Sequence, residues 1–189
     1  ILMTTFTEQL APKGHLEIIK VFPDNTTEVV LDDHNIITKG MGITLASMFS
    51  HDDATDTFDN FAIPYFQLGS GSSTMTSAVE TLHTPLSAGQ YSTIDMTISS
   101  IVVQGAATAQ DAIALNPAYI FKSAVNKITY SVTLDESTAN NIDISEVGLL
   151  SKNPYIQTPA VSFLCAYRSF ADIPKRESYT LIFNWTIEF

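Results

Sequence analysis

Large apolar and small polar residues alternate along much of this chain. The C-terminal run is the clearest: Tyr179, Leu181, Phe183, Trp185, Ile187 and Phe189 occupy alternate positions, with Thr180, Asn184, Thr186 and Glu188 among the residues between them. Successive side chains of a strand point to opposite faces, so this run puts six large residues on one face. Burying one such side chain stabilises by about 1.5–3 kcal/mol, which predicts a strand at the centre of the core. The same period recurs at Ile128–Leu134, at Ile94–Val103, and in Leu16–Phe22 and Thr27–Leu31 around Pro23-Asp24-Asn25-Thr26. Pro fixes one turn dihedral and Asp/Asn tolerate tight turn geometry, so that pair reads as a hairpin. Ile63–Leu68, Ile142–Leu150 and Ser162–Phe170 bring the count to about eight strands rich in β-branched and aromatic residues.

One segment has helical period. Met41, Leu45, Met48 and Phe49 fall at i, i+4, i+7 and i+8, predicting a helix from Lys39 to Ser50. Ser77 and Glu80 have capping-box spacing and predict a short helical turn before Leu82. Ala106–Ala114 reads as a short helix or a loop. His51–Asn60 and Gly69–Thr74 read as loops, and residues 1–14, broken by Pro12-Lys13-Gly14, as an arm that packs on a neighbour. No repeat, heptad run or composition break divides residues 15–189. The expected architecture is therefore a single all-β domain: an antiparallel β-sandwich of about eight strands, jelly-roll-like, with one helix near 39–50.

Composition explains how such strands stay wet. Only 15% of residues are charged, against roughly 25% in an average soluble domain. The 22 Thr and 18 Ser take that place, because Thr suits the solvated face of a sheet without adding charge. The net charge is -11, from 9 basic and 20 acidic residues. It is uneven: residues 1–94 hold 11 acids and three bases, residues 95–189 nine acids and six bases. Such a chain repels phosphate, and its closest basic pair, Lys175-Arg176, is too little for a nucleic-acid groove. Anionic membrane surfaces are disfavoured alike, and no apolar run nears the ~20 residues of a span. Ile1–Leu10 lack the charged start and long apolar core of a secretory signal. Cys165 is the only cysteine. It sits in the apolar run Phe163–Tyr167 and reads as a small buried hydrophobe, with zinc frameworks and intrachain disulfides excluded.

Candidate chemistry is thin. Asp52, Asp53, Asp56 and Asp59 invite a calcium reading, but the central Gly and closing Glu of an EF-hand loop are absent, which favours a solvated acidic loop. Gly69-Ser70-Gly71 lacks the following Gly, Lys or helix of a phosphate loop and reads as a tight turn. His15, His34, His51 and His83 are dispersed, and no GxSxG elbow anchors a triad. Glu136, Glu146 and Glu177 are conceivable glycosidase acids, and none is marked out. Asn25-Thr26-Thr27 and Asn184-Trp185-Thr186 match the glycosylation sequon, the second inside the expected central strand. No catalytic residue, metal ligand or cofactor site is assigned.

Several pieces in order carry a resemblance. They are His34-Asn35-Ile36-Ile37, Gly40 and the helix through Leu45-Ala46; Phe66-Gln67-Leu68-Gly69-Ser70-Gly71; Ile144-Ser145-Glu146-Val147-Gly148-Leu149-Leu150; Tyr167-Arg168-Ser169-Phe170; Ile173-Pro174-Lys175; and Leu181–Ile187. Over roughly residues 15–189 the chain resembles a group of tailed-bacteriophage virion proteins, variously described as tail-fibre, baseplate, collar or head-decoration proteins. The resemblance implies a non-enzymatic structural role in the virion, a homo-oligomer, and other virion proteins as partners. Asn35, Gly69, Gly71, Glu146, Gly148, Arg168, Lys175 and Trp185 are its motif residues. Glu146 is expected to pair with Arg168 or Lys175, since a partly buried acid needs a partner. Gly148 is expected to permit a bulge or a close approach. The main alternative is a carbohydrate- or receptor-binding β-sandwich at the tail tip, using Tyr65, Tyr91, Tyr119 or Tyr155 as an aromatic platform. A tailspike-like glycan hydrolase is the third option.

Overall fold

The computed structural model describes residues 12–50, 58–91, 96–155 and 158–189. Its strands are β1 (Lys13–Val21), β2 (Thr27–Ile37), β3 (Tyr65–Gly69), β4 (Ile98–Val103), β5 (Gln110–Ala114), β6 (Ile120–Ala124), β7 (Lys127–Leu134), β8 (Ile142–Leu150), β9 (Val161–Ser162), β10 (Leu164–Lys175) and β11 (Thr180–Glu188). Helix α1 spans Lys39–Phe49 and α2 Ala88–Tyr91, and Pro117–Tyr119 forms a 3-10 turn. The strands form one sheet in the order β6-β7-β11-β1-β2-β10-β8-β3-β5-β4-β9. Every pairing is antiparallel except β4 with β9. The protein is all-β, as its alternation predicts. The detail differs: eleven strands in one curled, mixed sheet take the place of an eight-strand antiparallel sandwich.

The curl turns on β2. Its first part pairs with β1, while Ile36 and Ile37 pair with β10. The two halves of the sheet thereby face each other, and Phe66 of β3 lies 5.4 Å from the Phe183 ring and 6.2 Å from the Trp185 ring of β11. Leu181, Phe183, Trp185 and Ile187 are all fully buried, with Leu16 and Ile18 of β1 beside them. Phe189 is half exposed, because it lies just past the end of β11. The β1–β2 turn has the expected chemistry. Asn25 adopts φ 64°, and Asp24 Oδ1 accepts from the Thr26 amide (2.9 Å) and hydroxyl (2.6 Å).

Three strands escape the sequence pattern. β5 (Gln-Asp-Ala-Ile-Ala) is Ala-rich and weak in intrinsic propensity, β6 is an edge strand with mostly exposed side chains, and β9 has two residues. Tertiary pairing makes each of them. The segment at Ser77–Glu80 is a turn and not helical; the Ser77 carbonyl accepts from the Lys39 amide at 2.9 Å. Of the arm expected over residues 1–14, residues 1–11 lie outside the described residues, and Lys13 and Gly14 open β1.

Helix α1 forms where its period predicts but buries a smaller face. Gly40, Met41 and Thr44 are buried, whereas Phe49 is 83% exposed. The Thr38 hydroxyl donates to the Leu164 carbonyl, and its amide donates to the Cys165 carbonyl at 3.0 Å. That docks the helix start on β10 so closely that a Cβ on Gly40 would strike the Leu164 carbonyl. Close approach at one end of the helix carries Phe49, at the other end, away from the sheet. Gly42 meets nothing within 4 Å on the outer face. Gly42→Ala should therefore stabilise by about 0.5–1 kcal/mol, through helix propensity and chain entropy. Gly40→Ala should cost about 1–3 kcal/mol by overpacking against backbone. Urea melts of the two variants read the opposite signs; equal shifts would contradict the helix placement.

Candidate functional site

The motif residues gather into two buried clusters and two tethers. The first cluster is built on Glu146. Its Oε1 accepts from the Thr84 amide (2.7 Å), and its Oε2 from the His83 amide (3.0 Å) and the Tyr167 hydroxyl (3.0 Å). Glu146 is fully buried. It sits on β8 opposite Gly69 of β3, and residues 83–86 run alongside the end of β3, with Ser70 N donating to Thr84 O and Leu86 N to Leu68 O. The Glu146 side chain therefore crosses β3 to reach the next ribbon. It crosses at Gly69 because a Cβ there would lie 2.5 Å from Glu146 Oε1 and 2.8 Å from Thr84 O. Gly71 is confined in a similar way: a Cβ there would lie 2.6 Å from Thr84 Oγ1 and 2.7 Å from His83 Nδ1. The Gly/Ser turn is the space this anchor needs. Gly148 serves close packing: its Cβ would meet Leu164 Cδ1 at 2.5 Å and Leu82 Cδ1 at 2.7 Å. The bulge lies in the neighbouring strand, between Leu164 and Ala166.

The expected partners of Glu146 are elsewhere. Arg168 points to β2, where Nη2 meets Asp33 Oδ2 at 2.6 Å and Nη1 donates to the His34 carbonyl at 2.6 Å. The His34 amide and the guanidinium together hold the Asp33 carboxyl below the ordinary carboxylate range. Lys175 is buried at the far end of β10, donating to Asn140 Oδ1 (3.0 Å) and the Arg176 carbonyl (2.9 Å) and lying over the Tyr179 ring. Burial lowers its pKa. A carboxylate satisfied by backbone amides needs no cation. Charge counting favours an ion pair and is blind to amides supplied by a loop remote in sequence.

The second cluster joins Asn35 and Trp185. Trp185 Nε1 donates to Asn35 Oδ1 at 2.9 Å, and Asn35 Nδ2 to the Ile36 carbonyl at 3.2 Å. The Asn35 amide lies where a Cβ on Gly14 would be. Cys165 is fully buried 3.6 Å from Thr44 Oγ1, and burial pushes its thiol up to about 11. These groups hold the sheet together and face away from solvent.

Two surfaces face outward. On β7, β11, β1 and β2 the side chains opposite the core form polar rows. Thr129, Thr186, His15 and His34 are cross-strand neighbours, as are Ser131, Asn184, Glu17 and Asp32. Thr129 Oγ1 bonds Ser123 and Thr186 at 3.0 Å; Ser131 donates to Asn184 Oδ1, and Asn184 to Glu17 Oε2 at 3.1 Å. His15 Nε2 meets Asp32 Oδ1 at 2.6 Å. Like charges directly opposite destabilise a sheet, and these contacts satisfy Glu17 and Asp32 separately. The rows account for part of the Ser/Thr excess. Asn184 sits in them as a paired strand residue.

The other surface lies at the seam that the curl leaves open. β6 pairs with β7 only as far as Tyr130, so residues 131–134 keep a free edge among the described residues. Facing that edge is a cavity of about 620 Å³, with Ile113, Leu115 and Val132 in its floor and Asn116, Tyr119 and Asp135 at its polar margin. Tyr119 is 58% exposed. Tyr91, by contrast, is fully buried and offers no platform to solvent; its hydroxyl accepts from the Leu68 amide at 3.2 Å. Tyr155 is half exposed and stacks edge-on to Phe163 at 5.2 Å. Asn116 and Asp135 belong to no motif, so the sequence points only to Tyr119.

Asp135 accepts from the Ser137 amide (2.9 Å), the Ser137 hydroxyl (2.7 Å) and the Thr138 hydroxyl (2.8 Å), all through Oδ1. Those bonds hold its carboxyl below the ordinary range. A depressed folded-state pKa adds stability that is full above the unfolded value, about 4, and is lost as pH falls through the folded value. Asp135→Asn should thus lower the melting temperature at pH 7 and flatten the acid limb, so that variant and wild type converge as pH falls. An acid limb identical to wild type would refute that.

Of the acidic loop, Asp52, Asp53 and Asp56 lie outside the described residues, while Asp59 pairs with Lys152. Among the described residues no group of three or more His, Cys, Asp or Glu is placed to hold a metal ion, and no helix is long and apolar enough to cross a membrane. Compared with known proteins, the chain matches no family model, no curated protein and no solved structure.

Proposed function

We propose that this chain is a non-enzymatic structural protein of a bacteriophage virion, a sandwich-like β module that assembles with itself and with other tail, baseplate or capsid proteins. The observation that carries the reading is the β6 edge. Among the described residues β6 is the outermost strand and pairs only with β7; it carries the exposed Phe121 and is flanked by exposed Tyr119, by Val125 at 90% exposure, and by Phe189 beyond the hairpin. An unpaired edge with exposed apolar side chains is a template for another chain. The polar rows beside it support the same reading, since an interface with few charges desolvates little. Light scattering of the full chain, alone and with purified virion parts, tests this. A defined oligomer, or assembly on the particle, is expected, and Phe121→Asp should abolish it without moving the melt. A strict monomer that ignores every virion part would end the reading.

The second reading, a carbohydrate- or receptor-binding module at the tail tip, is favoured by one observation: the Tyr119 cavity at the open seam.

A further inference from the structure

We infer that the seam cavity beside Tyr119 is a binding site for a neutral saccharide, a proposal that rests on the second reading above and not on the first. Ligand sites are concave and largely preformed, with an apolar floor and a few polar groups that fix orientation. The seam has these parts. Its volume of about 620 Å³ is within the usual range for small ligands. Ile113, Leu115 and Val132 supply an apolar floor, and the exposed ring of Tyr119 supplies a flat face. Sugar rings carry C–H faces that pack on aromatic rings and hydroxyls that need both donors and acceptors.

Both kinds of hydrogen-bonding group are present with capacity left. The turn and hydroxyl bonds to Asp135 all end on Oδ1, which leaves Oδ2 as an acceptor among the described residues. Asn116 uses Oδ1 to accept from the Ala118 amide at 3.0 Å, which leaves its NH2 as a donor among the described residues. The free edge of β7 adds backbone donors and acceptors over residues 131–134. A sugar hydroxyl is donor and acceptor at once, and matches such a mixed set better than a purely apolar ligand does.

Charge selects among saccharides. Among the described residues, Asp135 is the one charged group lining the cavity, and no Lys or Arg lines it. Its hydrogen bonds keep it ionised at neutral pH, and the chain as a whole carries -11. Sialic acids, uronic acids and phosphorylated sugars are repelled, while neutral hexoses and N-acetylhexosamines are not. The ligand class is therefore a neutral, hydroxyl-rich ring.

Saturation-transfer NMR on the full chain tests this, with glucose, galactose, N-acetylglucosamine and sialic acid as separate probes. Saturable binding of at least one neutral sugar is expected, and no transfer to sialic acid. Tyr119→Ala should weaken that binding at least about tenfold, the loss of roughly one good ring contact. Its melt should be unchanged, because the ring is mostly exposed. Thr133→Lys, which adds a long cation to the cavity lining, should weaken transfer as well. Neutral-sugar binding that survives both substitutions would overturn the site while leaving the binding-module reading in place. Preference for sialic acid would overturn the charge selection. No transfer to any probe would overturn the saccharide assignment. Binding of an extended peptide to the β7 edge in its place would overturn it too, and would keep the module a receptor binder of another kind.

Discussion

Glu146→Ala should cost about 3–5 kcal/mol of folding stability, an effect on the scale of breaking a buried charged contact. The substitution strands three donors at once: the His83 amide, the Thr84 amide and the Tyr167 hydroxyl. Hydrogen bonds to a charged group are each worth about 1.5–3 kcal/mol, but the three share one carboxylate and do not add. Residues 83–86 would also lose their clamp to β8, while keeping the backbone bonds to β3. Loss should thus be local as well as global. Hydrogen exchange at His83 and Thr84 should rise more than exchange at the β1–β11 ladder. Glu146→Gln should fall between wild type and Ala, because one oxygen is kept and an NH2 is turned toward a backbone amide. Tyr167→Phe should cost less, about 1–2 kcal/mol, since its hydroxyl makes one bond to Glu146 and accepts one from Ser73 N at 2.8 Å. If Glu146→Ala melts within about 1 kcal/mol of wild type, the carboxylate is not the anchor.

That anchor marks the limit of what local sequence can say. Period places the strands well where side chains face a single core: β11, β7 and β8 run close to their expected bounds, while β2 continues six residues past Leu31, to Ile37. It fails where pairing, not burial, makes the strand. β6 exposes four of its five residues and β9 has two, so neither writes an alternation. It also misjudges the buried face of α1, because Phe49 fits the apolar stripe while the docking surface is set by Gly40 and Thr44. The motif residues are recognisable as a set, but their partners are not. Glu146 meets amides 62 and 63 residues away, and Asn35 meets an indole 150 residues away. Nothing local in a sequence encodes such distances. The glycines are the one clue available. Gly69 stands where the Glu146 side chain must pass and Gly71 where the His83 and Thr84 side chains pack, and ruling out a phosphate loop there leaves their purpose open until the fold shows it.

Trp185→Ala should be equally severe, at about 3–5 kcal/mol. The indole is fully buried, packs edge-on to Phe66 at 6.2 Å, and bonds to Asn35 Oδ1 at 2.9 Å. For a chain of this size that corresponds to a fall in melting temperature of roughly 6–20 °C. Truncation combines a cavity in the facing halves of the sheet with a stranded amide acceptor on β2. Trp185→Phe separates the two: most of the ring is kept and the N–H is lost, so about 1–2 kcal/mol should remain. The pair can then be closed as a cycle. Asn35→Ala should cost less in the Trp185→Phe background than in wild type, because the acceptor there already has no indole to serve. Strict additivity of the two substitutions would mean that the Trp185–Asn35 bond contributes nothing. The packing against Phe66 would then be the whole of the tryptophan's effect. Urea midpoints at constant m-value measure each corner of the cycle, and a changed slope would signal that a variant has loosened the folded or unfolded state instead.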